Sequence, residues 1–397
     1  MVFSFLLVAL TLLAAGLTRM PVTRPEPPVA VAKTAPVERT LLFVGDVMLS
    51  RHVGALMEAM QDWDYPFRKV APTLRAADLA FANLECPVSD TGRNLHHLYS
   101  FRADPRVIEG LKYAGFRVLS VANNHMDDWG RPALLDTLRR LRAAGLVPVG
   151  AGANLGEADY PVFVTCPPGS HCRNAKLETG KSKLEIRNSK LANGEPPAGG
   201  GEQRSSSCVA DGPKRVGGAH SPGRGDFPVS SFKFRSLKIA FLAYVDVEPK
   251  DAAASLDRAG VAWLDPDRVR ADIRFARRLA DLVIVSVHWG VEYAPRPLKE
   301  QVQRAHEMID AGADLVVGGH PHVVQPLEEY HGHWIAYSLG NFVFDQKWPV
   351  THHGLMLKVT VSGKQITRVT PIPITIDEKM QAEITESSRQ KAEGSRQ

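Results

Sequence analysis

The chain has 397 residues, 44% of them hydrophobic and 23% charged, a globular composition that excludes wholesale disorder, a collagen-like repeat and a coiled coil. Its net charge of +5 is local: residues 166–230 carry +4 and residues 19–39 carry +2, so the remaining body is close to neutral. The basic balance is therefore no argument for a nucleic-acid groove, and no nucleic acid is expected as a partner.

Residues 2–17 form an uncharged, almost wholly apolar run, intermediate in length between a signal-peptide core and a minimal membrane span. Basic residues follow the run, at Arg19 and Arg24, instead of preceding it. Residues 1–18 thus read as a signal-anchor or signal peptide, with a retained anchor favoured over cleavage. Residues 19–39 read as a Pro-rich tether. The expectation is an exported protein, membrane-anchored by an N-terminal helix or secreted after cleavage.

An apolar β-type run that ends in an unusual polar cluster then recurs along the chain. Residues 41–45 end in Asp46, and Arg51 opens the helix expected next. Residues 79–82 end in Asn83-Leu84-Glu85, and residues 118–122 end in Asn123-Asn124-His125. Residues 131–144 carry leucines at helical spacing and stop at Gly145.

Residues 166–230 form a polar, Gly- and Pro-rich stretch with a short repeat around Leu177, Leu184 and Leu191. One apolar residue in seven cannot build a coiled-coil seam, so a disordered insertion is expected. Strand-like runs at 160–166 and 237–245 flank it, which places it in a connection between neighbouring strands. Cys166, Cys172 and Cys208 lie in this stretch, where Cys166–Cys172 or Cys172–Cys208 pairing is open in an oxidising compartment. Cys86 stands alone and reads as a small buried side chain.

Beyond the insert, residues 267–280 and 298–311 have helical patterning. The runs at 282–287, 315–319 and 335–339 end in His288, in His320-Pro321-His322 and in Gly340-Asn341. Strands alternating with helices imply an α/β fold with a largely parallel sheet. Ligands of such sheets bind at the carboxyl ends of the strands, so the six polar clusters are expected on one rim.

Asp, Glu, Asn and His together suit borderline or hard divalent metals. On a strand, the i, i+2 spacing of His320 and His322 would point both rings to one side. A metal there would activate water and polarise an oxygen of a phosphoryl or acyl group, which is hydrolase chemistry. Arg51 is placed to clamp an anionic group, and Asn341 and Asp345 to orient ligands. His96 and His97 read as surface or core residues, with reach to a ligand near Arg102 as the alternative.

The segments 45–51, 83–85, 123–125, 288–290, 319–325 and 338–342, in that order, resemble those of the CapA family of capsule and poly-γ-glutamate synthesis proteins. The resemblance covers residues 40–376 apart from the insert, and leaves 377–397 as a polar tail. It implies a four-layer α-β-β-α metallophosphoesterase-like sandwich with mixed, partly parallel sheets. It also implies one or two divalent metal ions (Mn, Zn, Fe or Mg) held by Asp46, Glu85, Asn124, His288, His320 and His322. His125 with Asn124 would be the catalytic pair, and Arg51, Asn83 and Asn123 would face substrate. Met48 and Asn83 stand where the wider superfamily has metal-binding side chains, and neither can supply a bridging charge.

The function implied is metal-dependent, hydrolase-like work on an anionic surface polymer or phosphoester, within a membrane-bound polymer synthesis complex. A non-catalytic polymer-binding or assembly component and a general metallophosphoesterase are the alternatives.

Overall fold

Alternation along β1 (Glu38–Val47) already defines two layers: Leu41 and Phe43 face one apolar cluster, Leu42 and Val44 another. The computed structural model describes residues 37–167, 176–178 and 236–385. After β1 come α1 (Arg51–Met60), α2 (Ala71–Ala76), β2 (Leu79–Leu84), α3 (Val107–Ala114) and β3 (Val118–Ser120). Next are α4 (Gly130–Ala143), β4 (Val147–Val149), β5 (Ala151–Gly152), α5 (Leu155–Ala158), β6 (Val162–Cys166) and β7 (Lys176–Glu178). The second half contains β8 (Leu237–Val245), β9 (Gly260–Val261), α6 (Pro266–Arg277), β10 (Leu282–His288), α7 (Lys299–Asp310) and β11 (Leu315–Gly319). It closes with β12 (Leu327–Tyr330), β13 (His333–Ala336), β14 (Asn341–Val343), β15 (His353–Ser362), β16 (Gln365–Ile376) and β17 (Ala382–Ile384).

These strands form two large sheets. One has the order β17-β16-β15-β1-β2-β3-β4, with β14 also on β1; the other has the order β12-β13-β11-β10-β8-β6-β7. Parallel pairs run from β1 to the β4 edge of the first sheet and occupy the middle of the second (β13–β11–β10–β8), and antiparallel strands complete each sheet.

Between the sheets lies one apolar layer, in which Phe81 of the first stacks on Phe241 of the second with ring centroids 5.9 Å apart. Outside the first sheet, α1 to α4 pack Val53, Met57, Leu74, Leu111, Leu134 and Leu138 on its other face. Outside the second, α6 and α7 pack Val269, Ile273, Ala305 and Met308. The result is the four-layer α-β-β-α sandwich. Each Val, Leu, Ile or Met side chain moved from water into these layers contributes about 1.5–3 kcal/mol.

The structure corrects several expectations. The polar clusters line the rims of two mixed sheets instead of one, because a local pattern fixes a strand's face but not its sheet. The run at 335–339 does not end in Asn341: β13 stops at Ala336 in the second sheet, and the chain crosses to the first sheet, where Asn341 opens β14. Glu38 and Arg39 of the expected tether belong to β1, and the expected tail contributes β17. β6 and β8 are antiparallel neighbours joined through the insert. Within that insert Lys176–Glu178 is an edge strand on β6, which the disordered reading did not foresee. The rest of the repeat lies outside the described residues, as do Cys172, Cys208 and the apolar run at 2–17. Cys166 is disulfide-bonded, and among the described residues no helix is long and apolar enough to cross a membrane.

Candidate metal centre

The inter-sheet layer changes from apolar to polar at one end, and sequence parity explains which residues arrive there. On β2, Leu79 and Phe81 face the second sheet, so Asn83 is next on that face. On β10, Leu282 and Ile284 face back, which brings His288 to the same layer. Asn83 Nδ2 lies 3.2 Å from His288 Nδ1 across the gap between the sheets.

Asp46 reaches this layer through a β-bulge. Phe43 pairs with Phe81 but Asp46 pairs with Asn83, so β1 carries one extra residue between them. Three positions beyond Phe43, a regular strand would turn Asp46 toward the helices; the bulge restores it to the inter-sheet face. Two glycines allow the close approach. A Cβ on Gly45 would lie 1.8 Å from Gly340 O, and one on Gly319 would lie 2.5 Å from Asp46 Oδ1.

Around this point the groups are buried and connected. Asp46 Oδ1 accepts from Asn83 Nδ2 at 2.8 Å, and Oδ2 accepts from the backbone N–H of His320 at 3.2 Å. Glu85 Oε2 accepts from Asn83 Nδ2 at 3.1 Å. Glu85 Oε1 faces three imidazole nitrogens, His322 Nε2 at 3.7 Å, His288 Nε2 at 3.9 Å and His125 Nε2 at 4.0 Å. His322 Nδ1 is held by Asn341 Oδ1 at 2.9 Å, and Asn341 Nδ2 is itself tied to Gln346 and to Thr351 O. His288 Nδ1 lies 3.2 Å from Asn83 Nδ2, and its Nε2 lies 2.9 Å from Asn124 Oδ1 and 3.9 Å from Glu85 Oε1.

The electrostatics separate the two carboxylates. Burial alone would raise Asp46, but the His322 hydrogen bond, the neighbouring imidazoles and Asn83 outweigh it and hold the group at about 2. Burial and then the charge of Asp46 push Glu85 well above the usual carboxylate range. Burial, followed by the neighbouring imidazoles, lowers His288 well below its ordinary value and brings His320 to about 3.

This donor set fits a divalent ion. Asp46, Glu85 and His288 each offer a ligand atom within 4.8 Å of the others. Glu85 Oε1 and His320 Nδ1 are buried with no hydrogen-bond partner, a costly state for two polar atoms unless something joins them. A cation would also let both carboxylates ionise together.

His125 and Arg51 stand beside the centre. His125 Nδ1 lies 2.9 Å from Asp128 Oδ2, and its ring packs on Phe101 at 4.0 Å between centroids. Arg51 is gripped by Asp345 through Nε at 3.1 and 3.2 Å and through Nη2, and its guanidinium lies 4.9 Å from the centroid of Phe101.

The structure therefore brings all the expected site residues together but distributes their work differently. Asn83 and Asn123 do not face outward to a substrate. Asn123 is fully buried, donates to Asn83 Oδ1 at 3.1 Å and to Leu84 O at 2.8 Å, and accepts from the His125 N–H. Asn124 gives its oxygen to His288. His320 and His322 meet through a turn with φ of 93° and 56°, not through strand spacing, and this strained backbone is held by the contacts just described. Asp128, Phe101 and His97, which lies 3.3 Å from Asp128 Oδ1, are additional partners. An acid three residues after His125 was the available signal for Asp128. Cys86 is buried, with its thiol pushed by burial to about 12, and is no nucleophile.

Comparison with known proteins agrees with these motifs. The family model described as "Bacterial capsule synthesis protein PGA_cap" matches residues 40–206 and 211–346. The PGA biosynthesis protein CapA of Bacillus subtilis (strain 168) is 30% identical over 352 residues, covering 87% of this chain and 74% of that protein. The capsule biosynthesis protein CapA of Bacillus anthracis is 29% identical over 351 residues, covering 85% and 68%. Among solved structures, Haemophilus influenzae NAD nucleotidase (NadN) aligns over 91% of this chain and 56% of its own at 14% identity, with a TM-score of 0.38, too loose a likeness to carry an assignment. From the family match and these relatives, the chain belongs to the bacterial capsule synthesis protein family PGA_cap.

Proposed function

We propose that the chain is an exported, metal-dependent hydrolase-like protein of capsule or poly-γ-glutamate synthesis that acts on an anionic surface polymer. Its partners would be that polymer and a membrane-bound synthesis complex. The observation that supports this most is the convergence of Asp46, Glu85, His288, His320 and His125 from both sheets on one buried point. A divalent ion held by Asp46, Glu85 and His288, with His320 and His322 alongside, would supply Lewis-acid polarisation and an activated water.

The chain's own residues provide the rest. Asp128 fixes the His125 ring by taking Nδ1, which leaves Nε2 facing the centre as the atom that carries a proton to the leaving group. Arg51, held by Asp345 at the mouth, binds an anionic group of the substrate. The apolar segment 2–17 supports export and anchoring.

The test is a metal analysis of the purified full chain, followed by a panel of phosphodiesters and γ-glutamyl polymer. Turnover that disappears in His125→Ala at unchanged metal content is the expected result. Less than about 0.2 divalent ion per chain after reconstitution would count against hydrolysis and favour the non-catalytic assembly component. Turnover confined to small phosphate esters would favour a general metallophosphoesterase.

A further inference from the structure

We propose that this centre holds a single divalent ion and that Asn83 sets that limit. The inference rests on reading the site as a metal centre and adds its nuclearity. Asn83 lies between the sheets with its Nδ2 turned to Asp46 Oδ1, Glu85 Oε2 and His288 Nδ1. The amide cannot turn its oxygen to that side without breaking a chain of hydrogen bonds. Asn83 Oδ1 accepts from Asn123 Nδ2, which also donates to Leu84 O, while Asn123 Oδ1 accepts from the His125 N–H. Both amides are thereby oriented by backbone groups. A donor face repels a cation, so Asn83 withholds one oxygen from each carboxylate and leaves Asp46 Oδ2 and Glu85 Oε1.

The charge count points the same way. Among the described residues Asp46 and Glu85 are the fully buried carboxylates at this point, with Glu292 and Asp128 acting on Glu85 from its surroundings, and the imidazoles bind metal as neutral ligands. Asp128 faces His125, and Asp345 is tied to Arg51. Two buried negative charges balance one divalent ion. A second ion a few ångströms away would leave two positive charges uncompensated in a buried site, with no carboxylate at position 83 to offset their repulsion. Position 83 is where such a carboxylate would stand, opposite Asp46 in the parallel pairing of β1 and β2.

The experiment is equilibrium dialysis of the full chain against Mn²⁺, with metal counted by mass spectrometry and the bound ion read by electron paramagnetic resonance. One Mn²⁺ per chain with an isolated six-line spectrum is expected. Asn83→Asp should raise the count to two and give an exchange-coupled spectrum. Two coupled ions in the unmodified chain would overturn the proposal, whatever the variant does. One ion in both proteins would overturn the role of Asn83. No ion in the unmodified chain would instead remove the metal-centre reading on which the proposal stands, and the proposal with it.

Discussion

His125 Nδ1 sits 2.9 Å from Asp128 Oδ2, and Asp128 also accepts from the Phe101 N–H at 2.7 Å, so one buried carboxylate positions both the imidazole and the ring it stacks on. Asp128→Asn keeps the shape but offers an amide that can turn its NH₂ toward Nδ1. The expected effect is a fall in kcat of about 100-fold, within the range for a misdirected acid–base group, with KM and bound metal nearly unchanged. Steady-state kinetics and metal analysis on the same preparation check it; a loss of metal would show that Asp128 serves the centre's assembly instead.

Arg51 and Asp345 make a second separable pair. Arg51→Ala removes an anion-binding group at the mouth without touching the buried ligands, so KM should rise about 10-fold while kcat changes little. Asp345→Asn should give a smaller rise, because the guanidinium remains but is no longer gripped. Equal losses of kcat and kcat/KM in Arg51→Ala would mean that the arginine contacts the transition state alone.

The pH dependence of the metal-free protein follows from His320, whose folded value is depressed from 6.5 to about 3 by burial and neighbouring imidazoles. Below 6.5 the unfolded chain takes up a proton that the folded chain refuses. The associated stability is therefore intact above that pH and is lost as the pH falls toward 3. Between pH 6.5 and 4 the metal-free chain should lose on the order of 3 kcal/mol relative to His320→Gln. Glu85 and His288 titrate in both proteins, so the difference reads His320 together with its effect on His288. Chemical denaturation across this range reads it, and parallel curves would contradict it.

Gly45→Ala tests the bulge. Its Cβ would meet Gly340 O at 1.8 Å, backbone against backbone, so β1 or the crossing to β14 must shift. A loss of more than about 3 kcal/mol is expected, together with weakened metal binding, since the bulge is what aims Asp46. A stable variant with full metal affinity would show that the strands give more easily than their packing suggests.

Much of this was legible in the sequence because the apolar runs on β1, β2, β10 and β11 are short and each ends abruptly in a polar residue. Asp46, Glu85, His288 and His320 could therefore be named as one group. The division into two sheets was legible only through the motif resemblance, since in the strand pattern Phe81 and Phe241 show the same alternation whether they belong to one sheet or to facing sheets. The bulge at Gly45 leaves no local mark beyond the glycine. The motif resemblance placed Asn123 at substrate; its hydrogen bonds to Asn83 and Leu84 show a brace, which no sequence pattern reveals. Asp128 was hidden beside Asp127 as one of two turn acids. His320 and His322 were grouped correctly for the wrong reason, because a turn and not a strand presents them.

The most direct test is an anomalous-scattering map from a crystal of the full chain soaked in Mn²⁺. A peak about 2.0–2.3 Å from oxygens of Asp46 and Glu85 and from a His288 nitrogen is expected, at ordinary ligand distances. A well-diffracting crystal with no peak among these residues, or with its ion bound elsewhere, would contradict the metal centre.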